Sequence, residues 1–149
     1  MDVSVIEEMA VRGIGVRTRN VDEMQPETAK IGDLWGRFYS QLMPKLSSNA
    51  QVFGLYTHYE SDHNGWFDVV ACTDSLAQGD VAEVKDYSIV AGSYLVFRGS
   101  GEMPKAVIDL WGEVWRYFSS DHCAYKRAFT TDFECYKSDR EIEIYIAIE

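Results

Sequence analysis

Asp33-Leu34-Trp35-Gly36 and Asp109-Leu110-Trp111-Gly112 are one tetrapeptide, met once in each half of a 149-residue chain. Each copy lies in a segment of the same design. Ile31, Leu34, Trp35, Phe38, Leu42 and Met43 recur at three- and four-residue intervals over Thr28 to Leu46. Val107, Leu110, Trp111, Val114, Trp115 and Phe118 do the same from Met103-Pro104 to about Ser120. This spacing predicts two amphipathic helices, each with one broad apolar face. Pro26 suits the first turn of the first helix, and Pro44 with Ser47-Ser48-Asn49 ends it. A period this long is too large for a solenoid and suits a duplicated half-domain.

The flanks repeat as well. Residues 3–19, with Gly13 and Gly15, predict a strand bent or bulged at its glycines. After the first helix, Val52 to Glu60 and Trp66 to Asp74 predict a hairpin turning at Asn64-Gly65, two residues that tolerate positive φ. Ser75 to Asp80 is a polar linker. Tyr87 to Arg98 is then a strand, and Phe129 to Lys137 with Glu141 to Glu149 a second hairpin around Ser138-Asp139. Phe53-Gly54-Leu55-Tyr56 aligns with Phe133-Glu134-Cys135-Tyr136. The expected fold is therefore α+β: two βαββ units related by a pseudo-two-fold axis, with antiparallel sheets and two main helices around a central ligand groove. Residues 1–149 are expected to form a single domain, repeat one over about 3–80 and repeat two over about 84–149, with no DNA-binding domain.

The halves differ most tellingly where half one has Gly54 and half two has Glu134. A two-residue turn at Ser138-Asp139 would set Glu134 opposite Glu143, Tyr136 opposite Glu141 and Phe133 opposite Ile144. Phe133, Cys135, Ile142, Ile144, Ile146 and Ile148 would then face the helices. Glu134, Tyr136, Glu141, Glu143 and Tyr145 would share the other face, either as a solvated surface or as a carboxylate among rings, the chemistry of an organic-cation site. Trp35 and Trp111 read as helix packing with a share in the groove rim, and Trp115 as core.

Other signals are weak. His58, His63 and His122 come without a hydrolase or zinc motif, and Cys123 beside His122 makes no plausible dyad. No catalytic, metal-binding or cofactor-binding residues are expected. Gly13-Ile14-Gly15 lacks the rest of a dinucleotide fingerprint, and Lys126-Arg127 reads as a small solvated basic spot. Cys72, Cys123 and Cys135, odd in number and without CxxC spacing, predict reduced thiols in a cytoplasmic protein. With 24 acidic against 14 basic residues the net charge is −10, which argues against direct nucleic-acid binding. No secretory signal or membrane span is expected. The 46% apolar and 13% aromatic content is ample for one core.

The Ile31-Gly32-Asp33-Leu34-Trp35 helix, the Phe53-Gly54-Leu55-Tyr56 strand and the closing Phe133-Glu134-Cys135-Tyr136 and Ile142-Glu143-Ile144-Tyr145-Ile146 hairpin resemble the GyrI-like effector-binding domains. These are the ligand-sensing modules of AraC- and MerR-type regulators, with a fold shared by SOUL haem-binding proteins. The resemblance covers essentially the whole chain and implies a stand-alone member most similar to integron-cassette proteins. It implies a pocket glutamate at Glu134 and a ring at Tyr145. Tyr56, Tyr136, Trp35 and Trp111 complete the expected ligand-binding set, and the implied ligands are cationic amphipathic small molecules. A regulatory protein or a second copy of the chain would be the macromolecular partner. A gyrase-inhibitor-like protein–protein inhibitor, a small hydrolase using Glu134 as base, and a haem binder through His58, His63 or His122 are the alternatives.

Overall fold

Among the described residues, alternating apolar residues and β-branched runs build eight strands. The computed structural model describes residues 1–76 and 83–149, so the predicted linker at Ser75–Asp80 lies largely outside the described residues. The strands are β1 (Asp2–Ile6), β2 (Met9–Thr18), β3 (Val52–Thr57), β4 (Phe67–Thr73), β5 (Lys85–Ile89), β6 (Gly92–Ser100), β7 (Arg127–Tyr136) and β8 (Glu141–Ile148). The helices are α1 (Asn20–Glu23), α2 (Ile31–Gln41) and α3 (Lys105–Ser119).

All eight strands form one antiparallel sheet in the order β1-β6-β8-β7-β3-β4-β2-β5. The order reads as a mirror about the β7–β3 seam. Phe53 pairs with Cys135, Gly54 with Glu134, and Leu55 with Phe133. The pseudo-two-fold axis therefore passes through the Gly54–Glu134 pair, the position where the repeat differs.

Two single strands of the sequence reading are each two strands. The 3–19 stretch breaks at Glu7-Glu8 rather than at its glycines, and the 87–98 stretch breaks at Val90-Ala91. In each half the extra leading strand crosses to the opposite wing: β1 pairs with β6, and β5 with β2. Gly13 and Gly15 serve close approach instead of a bend. A Cβ at Gly13 would lie 2.1 Å from the Ala71 carbonyl oxygen, and one at Gly15 would lie 2.8 Å from the Tyr87 hydroxyl.

The Val90-Ala91 link dictates the curvature of the sheet. In a flat sheet β5 and β6 would lie six strand spacings apart, about 29 Å. A link that short reaches roughly 11 Å. The sheet must curl, and the Val90 amide accordingly donates to Thr131 Oγ1 of β7 at 3.1 Å. Inside the curl lie Phe53, Leu55, Val70, Tyr94, Phe133 and Cys135. The outer face carries the helices: α2 packs Leu34, Phe38 and Leu42 on Ile14, Val69 and Ala71, and α3 packs Leu110 and Val114 on Ile142, Ile144 and Ile146.

α2 begins at Ile31, later than the Thr28 that periodicity suggested, with Pro26 in the preceding turn. Its first amides are satisfied from a distance. The Glu23 carboxylate at the end of α1 accepts the Lys30 amide at 2.9 Å and the Ile31 amide at 3.2 Å, so a neighbouring element caps the helix.

The β7–β8 hairpin corrects the predicted register. Lys137 and Ser138 both donate their amides to the Glu141 carbonyl, giving a turn longer than two residues. Phe133 therefore pairs with Tyr145, Glu134 with Ile144, and Cys135 with Glu143. A slip of one residue moves every side chain to the other face. Glu134 and Tyr136 lie with the isoleucines beneath the helices, and the expected Glu134–Glu143 repulsion does not arise.

Candidate functional site

α2 and α3 straddle the two-fold seam and leave a cleft of ≈ 600 Å³ between them. One wall is Ile31, Trp35 and Tyr39 from α2; the other is Met103, Val107, Ile108 and Trp111 around α3. Tyr56, Glu134 and Tyr136 rise from the sheet as its floor. The amphipathic periods place the rings here: Trp35 and Trp111 sit at the seam edge of each apolar face, where the helices part. Each tryptophan packs edge-to-face on the tyrosine of the opposite repeat, Trp35 on Tyr136 at 5.4 Å and Trp111 on Tyr56 at 5.1 Å. Such T-shaped pairs fit the aromatic quadrupole and fix the ring planes.

Glu134 is 4% exposed and has three donors. Tyr56 Oη (2.9 Å) and Trp111 Nε1 (2.7 Å) donate to Oε2, and Tyr136 Oη donates to Oε1 at 2.9 Å. Among the described residues no lysine, arginine or histidine forms an ion pair with it. Burial holds its carboxyl above the ordinary value, while Trp111, Tyr56 and Tyr136 pull the other way by favouring the ionised form. Burial and the carboxylate together push the Tyr56 and Tyr136 hydroxyls up, so both stay protonated as donors. The result is a buried carboxyl group, held by neutral donors and lining a mostly apolar cleft.

Gly54 makes room for it. A Cβ on Gly54 would sit 2.4 Å from Glu134 Oε1 and 3.2 Å from Trp35 Cζ2. The missing side chain of half one is the space that the carboxylate of half two fills.

Residues 4–148 match Cass2, the integron-associated effector binding protein family. The chain belongs to that family. The GyrI-like likeness drawn from the sequence stands with it. The structure of the Vibrio cholerae integron cassette protein VCH_CASS2 resembles this Cass2-family chain with a TM-score of 0.94 and 51% identity, over 99% of this chain and 95% of that one. SAV2435, solved bound to tetraphenylphosphonium, shares the fold with a TM-score of 0.71 and 20% identity, over 99% and 93%. YobU of Bacillus subtilis (strain 168), named as a candidate transcriptional regulator, is 29% identical over 152 residues, which cover 92% of this chain and 90% of YobU.

Of the six residues singled out from sequence, the fold brings five together: Glu134, Tyr136, Tyr56, Trp35 and Trp111. Tyr145 is elsewhere. It stacks on Phe133 at 4.5 Å on the inner face and donates to Glu143 at 2.8 Å, a direct consequence of the register slip. Met103, Val107, Ile108 and Tyr39 escaped the sequence reading as cleft residues. Ile108 at 63% and Tyr39 at 54% exposure were the available signal, being large apolar side chains off the packing stripe.

Two further expectations change. Trp115 is half-buried beside His63 and lines a side cavity instead of the core. Arg127 is no solvated spot: its side chain is 8% exposed and pairs with the fully buried Asp132, Nη2 to Oδ2, at 2.6 Å. An irregularity in β7 between Arg127 and Asp132, with Phe129 at φ 54°, turns Arg127 inward. Among the described residues no group of histidine, cysteine, aspartate and glutamate side chains is arranged to hold a metal.

Proposed function

We propose that this chain binds lipophilic cations between α2 and α3, with Glu134 as their counter-charge. The observation that carries the reading is a buried carboxylate, hydrogen-bonded by three neutral donors and facing a mostly apolar cleft. An unpaired buried charge is costly, and a cation entering the cleft offsets it. Three of the carboxylate's acceptor positions are already taken, so a charge shielded by apolar groups or spread over rings fits better than an ammonium that must donate several bonds. Trp35, Trp111, Tyr56 and Tyr136 supply ring faces and edges to such a cation. The tetraphenylphosphonium bound to SAV2435 is a ligand of this class.

The whole chain acts in this proposal as one effector-binding unit, with any regulatory output passing through a separate partner. Its three thiols are free, two of them buried, which suits a reducing cytoplasm. No helix of the described residues is long and apolar enough to cross a membrane.

Titration with tetraphenylphosphonium, read by tryptophan fluorescence, tests the reading. Wild type should be quenched saturably, and Glu134→Gln should bind at least ten-fold more weakly with an unchanged circular dichroism spectrum. Equal affinity in the two proteins would remove Glu134 from the mechanism.

A further inference from the structure

The two walls of the cleft are anchored differently. α3 follows Met103-Pro104 and is fixed by its own packing: Ala106, in its first turn, is buried and donates its amide to the Glu102 carbonyl at 2.8 Å. The start of α2 has no such anchor. Its buried stripe begins only at Leu34, and Gly32 and Asp33 ahead of it are exposed. Gly32 is a poor helix former, and Lys30, the residue before the helix, gives no side-chain cap. Yet Ile31 and Gly32 both line the cleft.

The Glu23 carboxylate supplies what the helix lacks. Besides the Lys30 and Ile31 amides it accepts the hydroxyl of Thr18, the fully buried last residue of β2, at 2.6 Å. One half-buried side chain thus ties the first turn of the α2 wall to the sheet. A carboxylate at this place also meets the positive end of the helix dipole. The element that carries Glu23 is itself fixed. Asn20 Nδ2 donates to the His63 carbonyl at 2.8 Å, Thr28 Oγ1 donates to the Asp22 carbonyl at 2.7 Å, and the Arg19 guanidinium lies over the Trp66 ring at 4.7 Å. Lys30 Nζ, from an exposed side chain, adds a bond to the Arg17 carbonyl at 2.9 Å.

We infer that Glu23 is a positioning residue for the cleft: by fixing Ile31 and Gly32 it decides how firmly a wide, multi-ring cation is gripped between the two walls. The inference rests on the cation reading above. A narrow cation with one ring can lie on Glu134 and the floor tyrosines without reaching the first turn of α2, so its binding is indifferent to Glu23.

The test compares tetraphenylphosphonium with phenyltrimethylammonium, by calorimetry on the full chain as wild type, Glu23→Gln and Glu134→Gln. Glu23→Gln keeps the length of the side chain but removes the charge and one acceptor oxygen, leaving Thr18 and two amides to share the other. It should bind tetraphenylphosphonium roughly five-fold more weakly, the loss of a helix cap, and phenyltrimethylammonium within about two-fold of wild type. The ratio of the two affinities is a readout that general destabilisation does not move. Equal falls for the two cations, or no fall for tetraphenylphosphonium, overturn the role of Glu23 while leaving that of Glu134 in place. Undiminished tetraphenylphosphonium binding by Glu134→Gln removes the cation reading and this inference with it. Hydrogen exchange in the wild type is a second measurement, independent of whether Glu23→Gln folds. Saturating tetraphenylphosphonium should slow exchange of the Lys30 and Ile31 amides by about three-fold or more, and phenyltrimethylammonium should not. Unchanged exchange under tetraphenylphosphonium overturns the assignment.

Discussion

Trp35 and Trp111 hold equivalent places on equivalent helices, yet their surroundings have diverged. Trp111 gives its indole N–H to Glu134 at 2.7 Å, whereas Trp35 lies against the bare backbone of Gly54. The Trp–Tyr contacts across the axis are nevertheless reciprocal. A duplicated frame thus supplies two matching aromatic walls, and one substitution on the axis supplies a single charge. Two glutamates there would face each other across a strand pair and repel. Two glycines would leave an uncharged slot. One of each gives a cleft with a single carboxylate, the counter-charge that the proposed cation requires.

The strongest way to break this comparison is to move the charge. Glu134→Gly should lower tetraphenylphosphonium affinity by on the order of 100-fold, given the Coulomb energy of a close pair in a partly buried site. Adding Gly54→Glu in the same chain should restore part of it, because Trp35, Tyr136 and Tyr56 stand around position 54 much as Trp111, Tyr56 and Tyr136 stand around Glu134. Calorimetry on the single and double variants reads both effects. No recovery in a folded double variant would mean that the two walls are not functionally equivalent.

Gly54→Ala probes the space instead of the charge. Its Cβ would displace Glu134 Oε1 from its donors, costing about 1–3 kcal/mol in stability, with a weaker ligand affinity alongside. Denaturant unfolding and the same titration would show it. An unchanged midpoint and affinity would show that the carboxylate can turn aside freely.

The tryptophans themselves are next. Trp111→Phe removes a donor to the ionised carboxylate, worth about 1.5–3 kcal/mol for a bond to a charge, and should raise the Glu134 pKa further. Trp35→Phe removes no donor to it and should not. The sign for pH follows. A cation needs Glu134 ionised, so affinity should fall as pH drops through its folded-state pKa, and in Trp111→Phe that fall should begin at higher pH. Stability runs the other way. Because the folded pKa lies above the ordinary value near 4.5, the native state holds the proton more tightly than the unfolded chain, and its stability falls as pH rises from there through the raised value. Affinity profiles that coincide for the two variants would contradict the donor assignment.

Tyr145→Phe should matter least. Its hydroxyl serves Glu143 on the inner face, so cation affinity should stay within about two-fold of wild type, as for a substitution away from the site. A large loss would place Tyr145 back in the ligand's path.

The GyrI-like likeness was readable in the linear chain because local chemistry carries it. Apolar spacing of three and four marks the helices, β-branched runs mark the strands, and two copies of Asp-Leu-Trp-Gly align the halves. Four of the cleft residues are matched pairs of the repeat, Trp35 with Trp111 and Tyr56 with Tyr136, and Glu134 is the one that breaks it, so the alignment singled out all five while placing Glu134 and Tyr136 on the wrong face of the sheet. The positions of Tyr145 and Arg127 were not readable. The first depends on a turn whose extra length shifts register by one, and the second on an irregularity in β7 with Phe129 at positive φ. Such details are settled by backbone hydrogen bonds that no residue type announces. The split of 3–19 and 87–98 into exchanged strands likewise depends on which edge each segment finds.

The chain by itself determined two helices, their apolar stripes, the duplication and the one glutamate that breaks it, because each depends on residue type and short-range spacing. Only the tertiary structure decided that Gly54 and Glu134 face each other, that the helices part above them, and that Arg127 is drawn inside. Those outcomes rest on strand register and sheet curvature, and both are properties of the packed whole.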